Sequence, residues 1–257
     1  MRRWLPRRLA HGEEATLVEH LDELRSRIII CLVAIVPAFA LTFAFNGRIM
    51  ELLTGPLPDD RELVTFGVTE PFTTSIKVSL VAALGLALPV LLWQTWAFLA
   101  PAVQPHFERV VLTLVAIATV LFACGVAFMY FVVLPVALDF LTSYNEELFE
   151  IQIRASYYFS FVAFTLLAGG LVFLMPIFLL GLVRLRVVSA RQLRVNRRYA
   201  FVGLLVFAIL LPTVDPVSLA FEVVPLVLLY EGTIWVALLM ERRWERSWEE
   251  EWAGDAA

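Results

Sequence analysis

Residues 78–107 read VSLVAALGLALPVLLWQTWAFLAPAVQPHF, thirty positions without an Asp, Glu, Lys or Arg. A hydrocarbon core of about 30 Å needs roughly 20 consecutive apolar residues to be crossed by one helix. This run meets that demand and exceeds what a buried helix of an ordinary domain uses. Working outward, the same pattern returns at Ile28–Gly47, Val110–Leu138 and Ala155–Val183, each free of charge. Two weaker stretches follow, Tyr199–Val214 with 16 residues and Pro216–Met240, which Glu222 and Glu231 interrupt. The composition agrees: 60% of the 257 residues are hydrophobic and 17% charged, more apolar surface than a soluble domain of this length needs.

The expected fold is therefore all-α: a polytopic membrane protein of six kinked helices forming a concave bundle. The spans are expected at about 28–46, 74–98, 110–134, 157–183, 199–212 and 217–240, with an N-terminal segment at 1–27 and a tail at 241–257. Pro37, Pro89, Pro176 and Pro225 each remove a backbone hydrogen bond within an apolar run and favour a kink there. At 1.5 Å per residue the fifth run reaches only about 24 Å, less than the hydrocarbon thickness.

Short loops rich in Lys and Arg stay in the cytoplasm. Six spans place sixteen of the 20 basic residues on one side, at Arg2 to Arg27, Arg109, Arg184 to Arg198 and Arg242 to Arg246. Arg48, Arg61, Lys77 and Arg154 fall on the other, whose loops are acidic, with Glu51, Glu70, Asp139, Glu147 and Asp215 among them. Both termini are expected in the cytoplasm. The net charge of −4 averages two opposite faces and identifies no partner. Cys31 and Cys124 lie in apolar runs, where free Cys acts as a small hydrophobe, so no disulfide is expected.

Thr16-Leu17-Val18-Glu19 fits a capping box, and Leu17, Leu21, Leu24 and Ile28 share a helical face. An amphipathic helix in the membrane interface, running into the first span, is expected. Short helices are expected in the loops Asn46–Glu70 and Pro135–Ser156. Trp244, Trp248 and Trp252, at spacing four, read as an interfacial anchor.

Enzyme chemistry finds no inventory. His11, His20 and His106 are isolated, and there is no H-E-x-x-H, nucleophile elbow or phosphate loop. No catalytic group, cofactor, metal or nucleic acid is expected. A secondary transporter would place ionisable residues at broken helices in repeated halves. Here only Glu222 and Glu231 break the runs, both in the last.

Several motifs in order resemble those of the TatC subunits of the twin-arginine protein translocase. His20-Leu21-Asp22-Glu23-Leu24-Arg25-Ser26-Arg27 is similar to the family's H-L-x-E-L-R-x-R at the first span, and Glu70-Pro71-Phe72 to its start of the second. Trp93-Gln94-Thr95-Trp96-Ala97-Phe98-Leu99-Ala100-Pro101 resembles its Q-x-W-x-F-x-x-P. Arg197-Arg198-Tyr199-Ala200, Asp215-Pro216-Val217-Ser218 and Pro225 to Glu231 resemble its fifth span, last turn and last helix. The resemblance runs from about Leu17 to Leu238. It implies a receptor and core of a machine that exports folded proteins carrying twin-arginine signal peptides, with small single-span TatA-like and TatB-like subunits, the lipid bilayer and further copies of itself as partners.

For the signal peptide the resemblance implies Glu23, Leu24 and Arg25 of the first motif, Phe98 of the third, and Glu108 near the family's loop Glu. Guanidinium groups form charge-assisted, often bidentate bonds with carboxylates, which suits acidic side chains to such a receptor. Glu23 could also simply pair with Arg27 at i, i+4. For partner-helix docking or a polar intramembrane role the candidates are Asp215, Ser218, Glu222 and Glu231.

The chain also departs from the family. Glu108 falls one place late in P-x-L-x-x-x-E-R, Leu174 replaces a mid-membrane Glu, and Leu219 replaces a Gln. Glu222 lies one turn from Leu219 and is expected to take over the lost polar role, or else to sit wet at the interface. The alternative function is a membrane transporter or scaffold that shares the fold without export activity.

Overall fold

The computed structural model describes residues 17–58, 61–99, 107–144, 148, 151–184, 187–209 and 216–255. Five helical stretches are long and apolar enough to cross a membrane: Leu21–Ala44, Glu70–Phe98, Leu112–Ser143, Ala155–Arg184 and Val217–Met240. The chain is an all-α polytopic membrane protein. The remaining apolar run forms a helix of 13 residues, Arg197–Ile209, about 20 Å long at 1.5 Å per residue. A helix that short crosses only where the bilayer thins or neighbours cover it.

The chain divides into two compact units. The first comprises Met1–Gly55, Leu63–Val120 and Ile153–Ala163. In it α1 (Leu17–Ala44) runs unbroken from the charged lead-in into the first apolar run, the continuity expected of that segment. The capping residue Thr16 lies outside the described residues. α1 packs on α3 (Glu70–Leu99) through Ala38, Ala83 and Ala87, flanked by Ile35, Phe39 and Leu91. Small residues let two backbones approach where lipid supplies no hydrophobic drive. Polar bonds fasten the same seam. The Thr42 hydroxyl donates to the Ser79 carbonyl at 2.8 Å, and the Asn46 amide donates to the Ser75 carbonyl at 3.1 Å and the Ser79 hydroxyl at 3.0 Å.

After α1 the chain turns into α2 (Asn46–Thr54), one of the two expected loop helices. The Tyr158 hydroxyl donates to the carbonyl of its Leu53 at 2.8 Å. Two short strands that periodicity did not reveal, β1 (Leu63–Val64) and β2 (Ile153–Arg154), pair in parallel, with Leu63 opposite Ile153 and Val64 opposite Arg154. Two residues carry no alternation to read.

The second unit comprises Pro56–Glu62, Leu121–Gln152 and Phe164–Ala257. α4 (Phe107–Phe128) widens into a π-helical turn at Met129–Val133 before α5 (Leu134–Ser143), the other expected loop helix. The wide turn falls where the ring of Pro135 would otherwise crowd the carbonyl four residues back. α6 (Ala155–Val172) and α7 (Met175–Arg184) are one apolar run divided at Phe173-Leu174, just before Pro176. Pro37, Pro89 and Pro225 instead lie inside continuous helices. Gly125 has no room for a side chain, because a Cβ there would meet the Phe173 side chain at 2.8 Å and the Gly169 carbonyl at 3.0 Å.

After α8 (Ala190–Val195), capped by Ser189 and Gln192, and α9 (Arg197–Ile209) comes α10 (Pro216–Asp255), which carries the last apolar run straight on into the tail. Ser218, Glu222, Leu226, Tyr230, Ile234 and Ala237 are its buried face, a spacing of three to four that keeps them in line. Leu226, Tyr230 and Ile234 close a core with Val172, Val183, Leu193 and Leu204. The side chains of Trp244, Trp248 and Trp252 lie outside the described residues.

Candidate functional site

Glu23 and Arg27 stand one turn apart on the lead-in of α1. Arg27 Nε donates to Glu23 Oε1 at 3.0 Å, and Nη2 donates to the same oxygen. Each side chain retains only 17% of its exposure. The guanidinium is held on its other edge by α3, with Nη1 donating to Gln94 Oε1 at 3.2 Å and Nη2 to the Ala97 carbonyl at 2.9 Å. Ala97 is in the last turn of α3, whose carbonyls have no intrahelical partner and whose dipole end favours a cation. A single side chain thus ties the start of α1 to the end of α3.

This arrangement brings together the first and third sequence motifs. Phe98, half-buried, follows the carbonyl that Arg27 binds, and Trp96 is buried just before it. Leu24 and Arg25 are exposed on α1 beside Glu23. Glu108 is in the first turn of α4, and its side chain lies outside the described residues. The i, i+4 pairing of Glu23 with Arg27 was readable in the sequence; Gln94 and Ala97 as its further anchors were not, being 67 and 70 residues away.

The other end of α3 carries a second carboxylate cluster. Glu70 ends the loop that leads into α3. Its Oε1 accepts from Arg154 Nε at 2.9 Å and the Ser156 amide at 3.3 Å, and its Oε2 accepts from the Phe66 and Gly67 amides at 3.0 and 3.2 Å. The Arg154 bond and these amides satisfy both oxygens of the Glu70 carboxylate. The Arg154 guanidinium lies 5.9 Å from the Phe66 ring centre and 5.2 Å from that of Tyr157. Glu70 was visible in the sequence only as a motif residue, with no sign of this partner.

In the second unit the last helix holds its polar residues inward. Ser218 is fully buried and Glu222 keeps 3% of its exposure. Glu222 is therefore not simply wet at an interface, one of the two outcomes the sequence left open. Asp215 lies outside the described residues. Glu231 Oε2 pairs with Arg197 Nη2 at 2.7 Å, and the neighbouring Tyr230 hydroxyl donates to the Leu193 carbonyl at 2.9 Å. Among the described residues no three His, Cys, Asp or Glu side chains converge as they would on a metal ion.

Comparison with known proteins places these features in a family. The sequence model of the Sec-independent protein translocase protein (TatC) matches residues 19–225. Among curated relatives, the Sec-independent protein translocase protein TatC of Escherichia coli K12 is 35% identical over 219 residues, covering 84% of this chain and 85% of that protein. The protein of the same name from Aquifex aeolicus is 36% identical over 233 residues, covering 88% and 96%. A crystal structure of the twin arginine translocase receptor TatC in DDM superposes with a TM-score of 0.76 at 34% identity, covering 85% of this chain and 99% of that one.

Proposed function

The chain belongs to the TatC family and is a multi-pass membrane component of the Sec-independent protein translocase, and we propose that within it this chain is the receptor for twin-arginine signal peptides. The observation that carries the proposal is Glu23: a carboxylate that keeps 17% of its side-chain exposure and pairs with Arg27, whose guanidinium reaches the end of α3. A partly desolvated carboxylate binds a guanidinium more strongly than an exposed one. Phe98 and Leu24 supply apolar surface beside it, Arg25 borders it, and Glu108 is the carboxylate for the second arginine. The chain works as a binding and conducting scaffold, not as an enzyme. It lies in the cytoplasmic membrane with six spans and both termini inside, which puts this site on the face where cargo arrives. TatA-like and TatB-like single-span subunits and further copies of the chain complete the complex.

The test is a titration of the purified full chain with a fluorescent signal peptide in twin-arginine and twin-lysine forms. Glu23→Gln is expected to weaken the twin-arginine form at least tenfold, since a charge-assisted bond is worth about 1.5–3 kcal/mol. Equal binding of wild type and Glu23→Gln would remove Glu23 from the site.

A second reading concerns α10. The burial of Glu222 beside Ser218 favours a polar intramembrane role for this pair over a lipid-facing dock, because such groups inside a span usually serve function. Glu231 lies further along the same helix, and Asp215 directly precedes it in the sequence. Glu222→Leu is expected to abolish export with the protein still inserted. Wild-type export would end this reading.

A further inference from the structure

The second unit carries a surface that neither cargo binding nor the polar face of α10 uses. Residues 155–214 contain six arginines, all between Arg184 and Arg198, and no Asp or Glu. The other basic segments hold carboxylates of their own: Glu13 to Glu23 in the lead-in, Glu108 beside Arg109, and Glu241 to Asp255 in the tail. The bias that orients spans counts Lys and Arg and is nearly indifferent to Asp and Glu, so it leaves the missing carboxylates unexplained. We propose that α8 and its flanks bind the phosphate of an anionic phospholipid, with Arg191, Arg194 and Arg198 as the residues that hold it. Such a site is independent of signal-peptide recognition.

Three features fit that ligand. The first is depth. The apolar α7 ends at Arg184 and the apolar α9 begins at Arg197, so the short α8 between them sits where hydrocarbon gives way to headgroups. Val187, Val195 and Tyr199 are exposed around it, and an aromatic ring with a polar tip is at home at that boundary. The second is rigidity. The Ser189–Gln192 capping box fixes the start of α8, Ala190 and Leu193 are buried in one core with Leu226, Tyr230 and Ile234, and the Tyr230 hydroxyl donates to the Leu193 carbonyl at 2.9 Å. The other face is thereby held outward, with Arg191 and Arg194 neighbours at i, i+3 and both exposed. Arg198 is exposed in the first turn of α9, and its Nη2 donates to the Tyr199 hydroxyl at 3.1 Å. The third is charge. Arg197 pairs with Glu231, whereas among the described residues Arg191, Arg194 and Arg198 form no ion pair. Like charges one turn apart repel, and an anion between them removes that cost. Guanidinium groups grip phosphate oxygens with two N–H groups at once, and basic clusters beside an apolar run suit anionic lipid.

Native mass spectrometry of the full-length protein in neutral detergent, given equal amounts of phosphatidylglycerol and phosphatidylcholine with the same acyl chains, reads the preference directly. Wild type is expected to retain the anionic lipid about tenfold over the zwitterionic one. The triple variant Arg191→Gln, Arg194→Gln, Arg198→Gln is expected to retain the two alike. Removing three arginines elsewhere, by Arg2→Gln, Arg3→Gln and Arg7→Gln, is expected to leave the preference intact. No preference in wild type, or a full preference in the α8 triple, overturns the site. An equal loss in both triples makes total charge the cause and overturns it as well. Lysine at the three positions keeps the charge and is expected to keep most of the preference; a loss as complete as with glutamine would point to the packing of α8 instead. Soluble glycerol phosphate in excess is expected not to displace the lipid, since it has no acyl chains to lie against Val187, Val195 and Tyr199. Displacement would reduce the surface to an anion site and end its assignment to lipid. If the glutamine triple does not accumulate, the three single changes decide. Each is expected to lower the preference about twofold or more, and no loss in any of them overturns the site.

Discussion

Both ends of α3 hold a glutamate bound to an arginine, and the two pairs are built for different ends. At the start of the helix, Glu70 keeps 5% of its side-chain exposure and accepts from three backbone amides as well as from Arg154. The donors come from the loop before α3, the strand β2 and the first turn of α6, so the carboxylate gathers segments that are remote in sequence. At the far end, Glu23 keeps 17% and meets an arginine from its own helix, and it is the arginine that reaches across to α3. The first pair is closed around its carboxylate. The second is anchored to α3 through its cation. The same chemistry ties the fold together through the anion at one end of α3 and through the cation at the other.

The largest effect follows from breaking the clasp at Glu70. Glu70→Ala removes the buried acceptor of three amides and of Arg154, and leaving shielded donors without an acceptor is among the strongly destabilising changes. The unfolding temperature of the detergent-solubilised chain is expected to fall by about 5 °C or more. A loss no greater than that of Glu23→Ala would erase the distinction between the two ends.

A smaller effect is expected at the receptor end. Glu23→Gln leaves Arg27 with Gln94 and Ala97, so it should cost about 1 kcal/mol of stability or less while peptide binding collapses. Stability and binding that fell together would make Glu23 a second clasp.

Much of this was legible in the sequence, for reasons tied to particular residues. Charge-free runs such as Val78–Phe107 announce spans because a bilayer demands length. Glu23 and Arg27 could be paired on paper because a helix sets neighbours at i and i+4. Arg154 could not be assigned to Glu70, 84 residues away, since nothing local encodes a partner that only the fold delivers. For the same reason Glu222 could be singled out as a charge in an apolar run, but its burial depends on what packs against α10. The two-residue pairing of β1 with β2 is too short for any period.

The smallest effect tests whether burial, not pairing, is what separates the two ends of α3. Glu231 and Arg197 form a third pair of the same chemistry, at 2.7 Å, with 26% and 38% of their side chains exposed. Exposed pairs gain little, because water screens them and two long side chains must be held in one geometry, so about 0–1 kcal/mol is the usual range. Glu231→Gln is accordingly expected to shift the unfolding temperature by no more than a degree or two. Tyr230→Phe, next to it, removes a buried hydroxyl that serves the Leu193 carbonyl and should cost at least as much, about 1 kcal/mol. Burial then orders the stability effects from Glu70 through Glu23 to Glu231. If Glu231→Gln instead destabilised the chain as much as Glu70→Ala, exposure would not be the variable that decides what a Glu–Arg pair does in this protein.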